Sequence, residues 1–219
     1  DDRAAQLAGF ALLMKARADD RRLFTATDDA GNLRPPKLNV LSLQDSEGLN
    51  VDELVTHLAP FKVQRATITA LLDTFEHVQT FGSLMQIPHA LKTSLALMPE
   101  ILTLVQKEGD IYAGASARDL LPLVQQAQML AMQFDAVVAN PPYMGSKYLA
   151  PILKAYLLAN YAGFEKDLFS AFMVRGLLLA KPSGQLGYMS PFVWMFISSY
   201  EELRNHFIDH ATLTSLVQL

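Results

Sequence analysis

The chain has 219 residues, 51% of them hydrophobic, a formal net charge of −4 and no cysteine. That length allows one large or two small domains with a real core, and the missing cysteines exclude a disulfide framework and a thiolate metal site while fitting a reducing cytoplasm. The acidic balance excludes a basic DNA-coating module, so a DNA enzyme of this charge must carry its phosphate contacts locally or in another part of a longer chain.

No apolar run reaches membrane-spanning length, and Asp1-Asp2-Arg3 is not a signal peptide. The absence of an initiating Met is expected for a fragment. The first predicted element is a helix over 3–22, with apolar residues at Ala5, Leu7, Ala8, Phe10, Ala11, Leu12 and Met14, a pattern that suits a helix packed on a sheet. Asp1 and Asp2 sit where an N-cap and a first-turn acid belong. Residues 28–36 read as a loop, followed by a candidate strand over 37–43 that closes near Gln44-Asp45-Ser46.

From 51 to 132 the pattern is mostly helical. Helices are predicted over 52–58, 62–80, 90–107 and 116–132, with a brief extended segment at 81–88 bounded by Gly82 and Pro88. A βαβ crossover needs far less chain, so this region is expected to be a helical insertion. Met85, Met98, Met129 and Met132 read as core fillers.

The run Phe134-Asp135-Ala136-Val137-Val138-Ala139 ends abruptly in Asn140-Pro141-Pro142-Tyr143. β-Branched Val137 and Val138 predict a buried strand over 136–139. Two prolines cannot continue it, because neither donates to a ladder. The chain must leave the sheet at Asn140, at the carboxyl end of the strand, where open α/β sheets bind ligands. Lys147 in the next loop is either a solvated lysine or a DNA-phosphate contact. A helix over 150–158 and a loop over 160–166 precede a second apolar helix over 167–179, with Asp167 placed as its N-cap. Lys181-Pro182-Ser183-Gly184 carries a helix stop, 185–190 reads as a strand, and Phe192, Trp194 and Phe196 line a loop. A helix over 201–208 and a strand over 212–219 complete the prediction. The five histidines share no ligand spacing with carboxylates, so no metal is expected, and no Gly-x-Ser-x-Gly or Walker loop occurs.

Asn140-Pro141-Pro142-Tyr143 resembles motif IV of the amino-methyltransferases, in the form typical of γ-type DNA N6-adenine methyltransferases. Further segments are similar to the PglX-type methyltransferases of BREX phage-defence systems: Arg3-Ala4-Ala5-Gln6-Leu7-Ala8, Phe81-Gly82-Ser83-Leu84, and Val193-Trp194-Met195-Phe196 beside Ser198-Ser199-Tyr200-Glu201. The resemblance covers most of the chain. It implies an α/β chain with a partial Rossmann-like fold, dependent on S-adenosylmethionine and carrying a largely helical insertion. Its expected parts are 1–50 and 134–219 as methyltransferase core and 51–133 as insertion.

By the same resemblance, Asn140 and Pro141 accept the two hydrogens of an exocyclic adenine amine, Pro142 stiffens the loop, and Tyr143 stacks on a base flipped from double-stranded DNA. Trp194, Phe196 and Lys147 are candidates for the base pocket and its surroundings, and Asp45 and Asp2 for cofactor contacts. The implied setting is cytoplasmic, with other phage-defence proteins as partners. No Gly-x-Gly pattern precedes Asn140, so the cofactor cradle is expected outside this chain, and residues 1–219 alone are expected to bind S-adenosylmethionine weakly or not at all. Two alternatives stand beside this reading: an RNA-base or protein-glutamine N-methyltransferase, and a non-catalytic scaffold of the same fold.

Overall fold

The computed structural model describes residues 2–34, 36 and 38–217, and the chain divides into two compact units, 1–44 and 45–219. Among its described residues unit 1 holds one helix, α1 (Asp2–Asp19), with Asp2 in its first turn. Asp1 lies outside the described residues. α1 buries only Gly9, and Leu7, Phe10, Leu12 and Met14 are exposed. Among the described residues no sheet covers this apolar stripe within the unit. Its extended pairing among the described residues is a single bridge between Thr27 and Leu33. The predicted strand over 37–43 does not form at 38–43, and Lys37 lies outside the described residues. Without a partner ladder in its own unit, an apolar run has nothing to pair with.

Unit 2 opens with the helical region. Asn50 caps α2 (Val51–Leu58) by accepting the amides of Asp52 and Glu53. The helix predicted over 62–80 is two helices, α3 (Arg65–Phe75) and α4 (Val78–Phe81). A neighbouring segment competes for their ends. The Ser46 amide donates to the Phe75 carbonyl, the Ser46 hydroxyl donates to that of Leu72, and the Asp45 carboxylate accepts the Gln79 amide. Likewise 90–107 splits into α5 (His89–Leu95) and α6 (Met98–Glu108), because Pro99 is tolerated only in a first turn. The Gln128 side chain then satisfies the Leu95 carbonyl. Asp110 caps α7 (Ile111–Ala131), which starts earlier than its pattern indicates. These helices bury Ile68, Leu71, Phe75, Leu102, Leu120 and Val124 among themselves.

The rest of unit 2 builds a small α/β layer. β1 (Phe134–Ala139) leads through α8 (Pro151–Asn160) and α9 (Leu168–Leu179) to β2 (Ala180–Tyr188), and the two strands pair in parallel. These are the two strands of the sheet among the described residues. The helix-stop residues 181–184 turn out to be a bulge within β2. Opposite Phe134 and Ala136 of β1 the partner jumps from Ala180 to Gln185, and Ser183 takes a left-handed φ of 64°. Lys181 reaches back from the bulge to Asp135 at 2.9 Å, which holds the Asp135 carboxyl below its usual range.

β1 is not the buried strand that its Val pair predicts. Ala136 is exposed, and Val138 is 82% exposed, because no described element covers that face. The other face meets α9, whose Leu168, Phe169, Ala171, Met173 and Val174 form a core with Leu84, Leu157, Tyr161 and Leu203. Gly176 is required there, since a Cβ would overlap the Tyr188 hydroxyl. α10 (Glu201–His210) follows, two residues longer than predicted, and 212–217 form no strand: Leu213, Leu216 and Val217 are exposed.

A buried cation joins the helical region to this layer. Arg175 of α9 is 6% exposed and donates to the carbonyls of Ser83 and Leu130, each at 2.9 Å. The hydroxyls of Tyr156 and Tyr161 both donate to the Leu84 carbonyl beside it. Burial lowers the Arg175 pKa and pushes that of Tyr161 up to about 12.

Candidate functional site

Asn140 follows the last residue of β1 directly. The strand is tied off one step beyond its register, where the Met189 amide donates to the Ala139 carbonyl. Pro141 is buried, whereas Asn140, Pro142 and Tyr143 are exposed. The prolines therefore lift the amide and the ring off the sheet end, as their fixed φ and missing N–H require.

The Tyr143 hydroxyl donates to the Asn140 side-chain oxygen at 3.1 Å, so the two polar groups of the motif face each other. The Tyr143 ring is 53% exposed and meets Phe169 of α9 nearly edge-on, with centroids 6.4 Å apart and planes at 88°. One side of the ring is thus propped by the core while much of its surface stays open to a planar ligand.

The loop that follows is sewn to the start of α9. Gly145 and Asp167 form an antiparallel bridge, the Leu168 amide donates to the Met144 carbonyl at 3.0 Å, and the Ser146 amide donates to that of Lys166 at 2.9 Å. The Asp167 carboxylate accepts both the Met144 amide at 3.1 Å and the Phe169 amide at 3.3 Å. Burial raises its pKa, against the lowering effect of the Phe169, Met144 and Leu168 amides.

The other candidates are placed less uniformly. Phe196 is 74% exposed, and Phe192 beside it, at a centroid distance of 6.2 Å, is exposed too. Trp194 turns the other way: its indole donates to the Ser190 hydroxyl, its ring packs against Phe207, and its carbonyl accepts Arg204. Lys147 lies over the Tyr148 ring at 4.6 Å and is exposed. Asp45 accepts the Gln79 amide at the start of α4, and Asp2 accepts the Gln44 side chain within unit 1.

Sequence reasoning placed Phe192 in the aromatic loop but missed the double duty of Asp167, which depends on a contact 23 residues away in the chain. Among the described residues no group of three His, Asp or Glu side chains converges to hold a metal, and no helix is long and apolar enough to cross a membrane. S-Adenosylmethionine fits only in part. Asn140 and Tyr143 stand at a strand end, but one Asp45 oxygen already accepts a helix amide, and a shallow depression on α6, lined by Pro99, Glu100, Thr103, Leu104 and Lys107, does not include them. No described cradle encloses a nucleoside beside Asn140.

Comparison with known proteins finds adenine-specific methyltransferases. The chain is 38% identical over its whole length to the adenine-specific methyltransferase BrxX of Escherichia coli O9:H4 (strain HS), of which it covers 19%. It is 27% identical over 93% of its length to the adenine-specific methyltransferase PglX of Lacticaseibacillus casei (strain Zhang), covering 16% of that protein. It is also 26% identical over 63% of its length to the type II restriction enzyme and methyltransferase RM.Eco57I of Escherichia coli, covering 15% of it. The chain thus spans about a fifth or less of the length of these curated relatives. All of its residues, 1–219, match the Eco57I restriction-modification methylase profile, and the chain belongs to that family.

Proposed function

We propose that this chain is the catalytic part of a site-specific DNA adenine-N6 methyltransferase acting in the modification of host DNA during phage defence. The observation that carries the reading is the placement of Asn140: an exposed carboxamide at the carboxyl end of a parallel strand, followed by a buried proline and a half-open tyrosine ring. Adjacent parallel strands joined through α8 and α9 suit two inner strands of a Rossmann-like sheet, with 51–133 as an insertion. The names of BrxX, PglX and RM.Eco57I support the reaction class.

An exocyclic adenine amine is a weak nucleophile because its lone pair is delocalised into the ring. In the proposed reaction the Asn140 Oδ1 and the Pro141 carbonyl accept its two hydrogens, which favours a pyramidal nitrogen with a localised lone pair. Tyr143 stacks on one face of the base after it leaves the duplex, and Phe196, with Phe192, offers the opposite wall. Trp194 supports that wall from behind, through Ser190 and Phe207. Lys147 meets a phosphate of the flipped strand. S-Adenosylmethionine, when bound, supplies an electrophilic methyl group. Its main contacts lie outside the described site, with Asp45 and Asp2 as subsidiary ones. Other defence proteins are the proposed partners, and the proposed setting is cytoplasmic.

The test is a methylation assay with the full-length protein that carries this chain. It uses unmethylated genomic DNA, structured RNA and a glutamine-containing peptide as separate acceptors. N6-methyladenine is expected in DNA alone, and Asn140→Ala is expected to reduce the rate by about a hundredfold or more. Transfer to RNA or peptide without DNA, or an unimpaired Asn140→Ala variant, overturns the proposal.

A further inference from the structure

We propose that Asp167 is the positioning residue of the candidate site, holding the motif loop in register with α9. The inference rests on the reading of Asn140–Tyr143 as the adenine site. Pro142, Tyr143 and Met144 are exposed, so their own packing does little to hold them. α9, in contrast, is buried over Leu168, Phe169, Ser170, Ala171, Met173, Val174, Arg175 and Gly176, and Arg175 pins it to the carbonyls of Ser83 and Leu130. It is the rigid reference nearest the loop.

One carboxylate oxygen makes the connection. Asp167 Oδ1 accepts the Phe169 amide, capping α9, and also the Met144 amide, directly after Tyr143. The flanking bonds, Leu168 N–H to Met144 and Ser146 N–H to Lys166, form a short two-sided clamp around it. The amide that follows the stacking tyrosine and the cap of the helix that carries Phe169, the tyrosine's edge-on partner, therefore share an acceptor. If the carboxylate shifts, the Tyr143 ring and the Asn140 oxygen bonded to it shift too.

Three variants separate a positioning role from simple helix capping. Asp167→Asn keeps an Oδ1 at the same reach. Asp167→Ser keeps a good N-cap, but its shorter side chain cannot also reach the Met144 amide. Asp167→Ala removes both. In the full-length protein with unmethylated genomic DNA, Asn is expected to stay within about threefold of wild type. Ser and Ala are expected to lower kcat by about tenfold to a hundredfold with little change in KM for DNA. Hydrogen exchange of the first turn of α9 is expected to rise in Ala but not in Ser. A Ser variant with wild-type kcat overturns the inference, and so does an Asn variant as impaired as Ala. If wild type itself methylates no adenine in that DNA, the reading of the site fails and the inference goes with it. If wild type is active and Ser is unimpaired, only the positioning role of Asp167 fails.

Discussion

Removing one oxygen atom, the Tyr143 hydroxyl, separates what the ring does from what its polar end does. That hydroxyl donates to Asn140 Oδ1 at 3.1 Å, the acceptor proposed for an incoming adenine amine. The Asn140 oxygen carries two lone pairs and the tyrosine occupies one of them, so substrate and tyrosine compete for the amine approach along that direction. An ordinary hydrogen bond is worth about 0.5–1.5 kcal/mol net, and at a half-exposed ring water brings it toward the low end. Tyr143→Phe frees the acceptor while keeping the stacking face, so kcat/KM at subsaturating DNA should rise by about twofold, and by no more than about tenfold. Tyr143→Ala removes the stack as well. Base–aromatic stacking of about 1–3 kcal/mol per base translates into a loss of about fivefold to about 150-fold. The assay is initial-rate and single-turnover methylation by the full-length protein on unmethylated DNA. If Phe falls to the rate of Ala, the hydroxyl takes part in the reaction and the competition argument is wrong. If Ala matches wild type, Tyr143 does not stack on the base.

Two further predictions concern the scaffold. Arg175→Met should destabilise the 219-residue chain by about 2–4 kcal/mol, since two charge-assisted bonds to Ser83 and Leu130 are lost and the Leu130 carbonyl is left partly buried. Thermal unfolding followed by circular dichroism checks this, and an unchanged transition would show that burying the cation costs as much as its bonds return. The tyrosines give the pH dependence. Burial pushes Tyr161 and Tyr188 up to about 12, so between pH 10 and about 12 the unfolded chain ionises them while the folded chain does not. Stability from this source is intact below pH 10 and is lost as pH rises toward 12. Ultraviolet titration should show these two ionising last, and a single tyrosine transition near pH 10 in the folded chain would contradict it.

Several elements of the fold are legible residue by residue. Asp167 announces a helix start by its side chain and accepts the expected Phe169 amide, whereas the caps at Asn50 and Asp110 emerge only in the structure. The break within 62–80 is not legible in the sequence, because what ends that helix is competition from Ser46 and Asp45, whereas the break within 90–107 is set by Pro99 and completed by Gln128, which satisfies the Leu95 carbonyl. Pro99 is the one local signal among them. The strand predicted over 37–43 does not form at 38–43 for the opposite reason: β propensity is satisfied only by a partner, and no described ladder supplies one.

The candidate site loop follows from local residues alone. Two consecutive prolines must end a strand, and an amide before them with an aromatic ring after them is an arrangement that needs no knowledge of the rest. How that loop is held is a matter of packing: the Asp167 clamp, the Phe169 prop and the outward turn of Phe196 against the inward turn of Trp194. Each of these depends on contacts between segments distant in the chain, whose geometry is set by packing and cannot be read from local residue preferences.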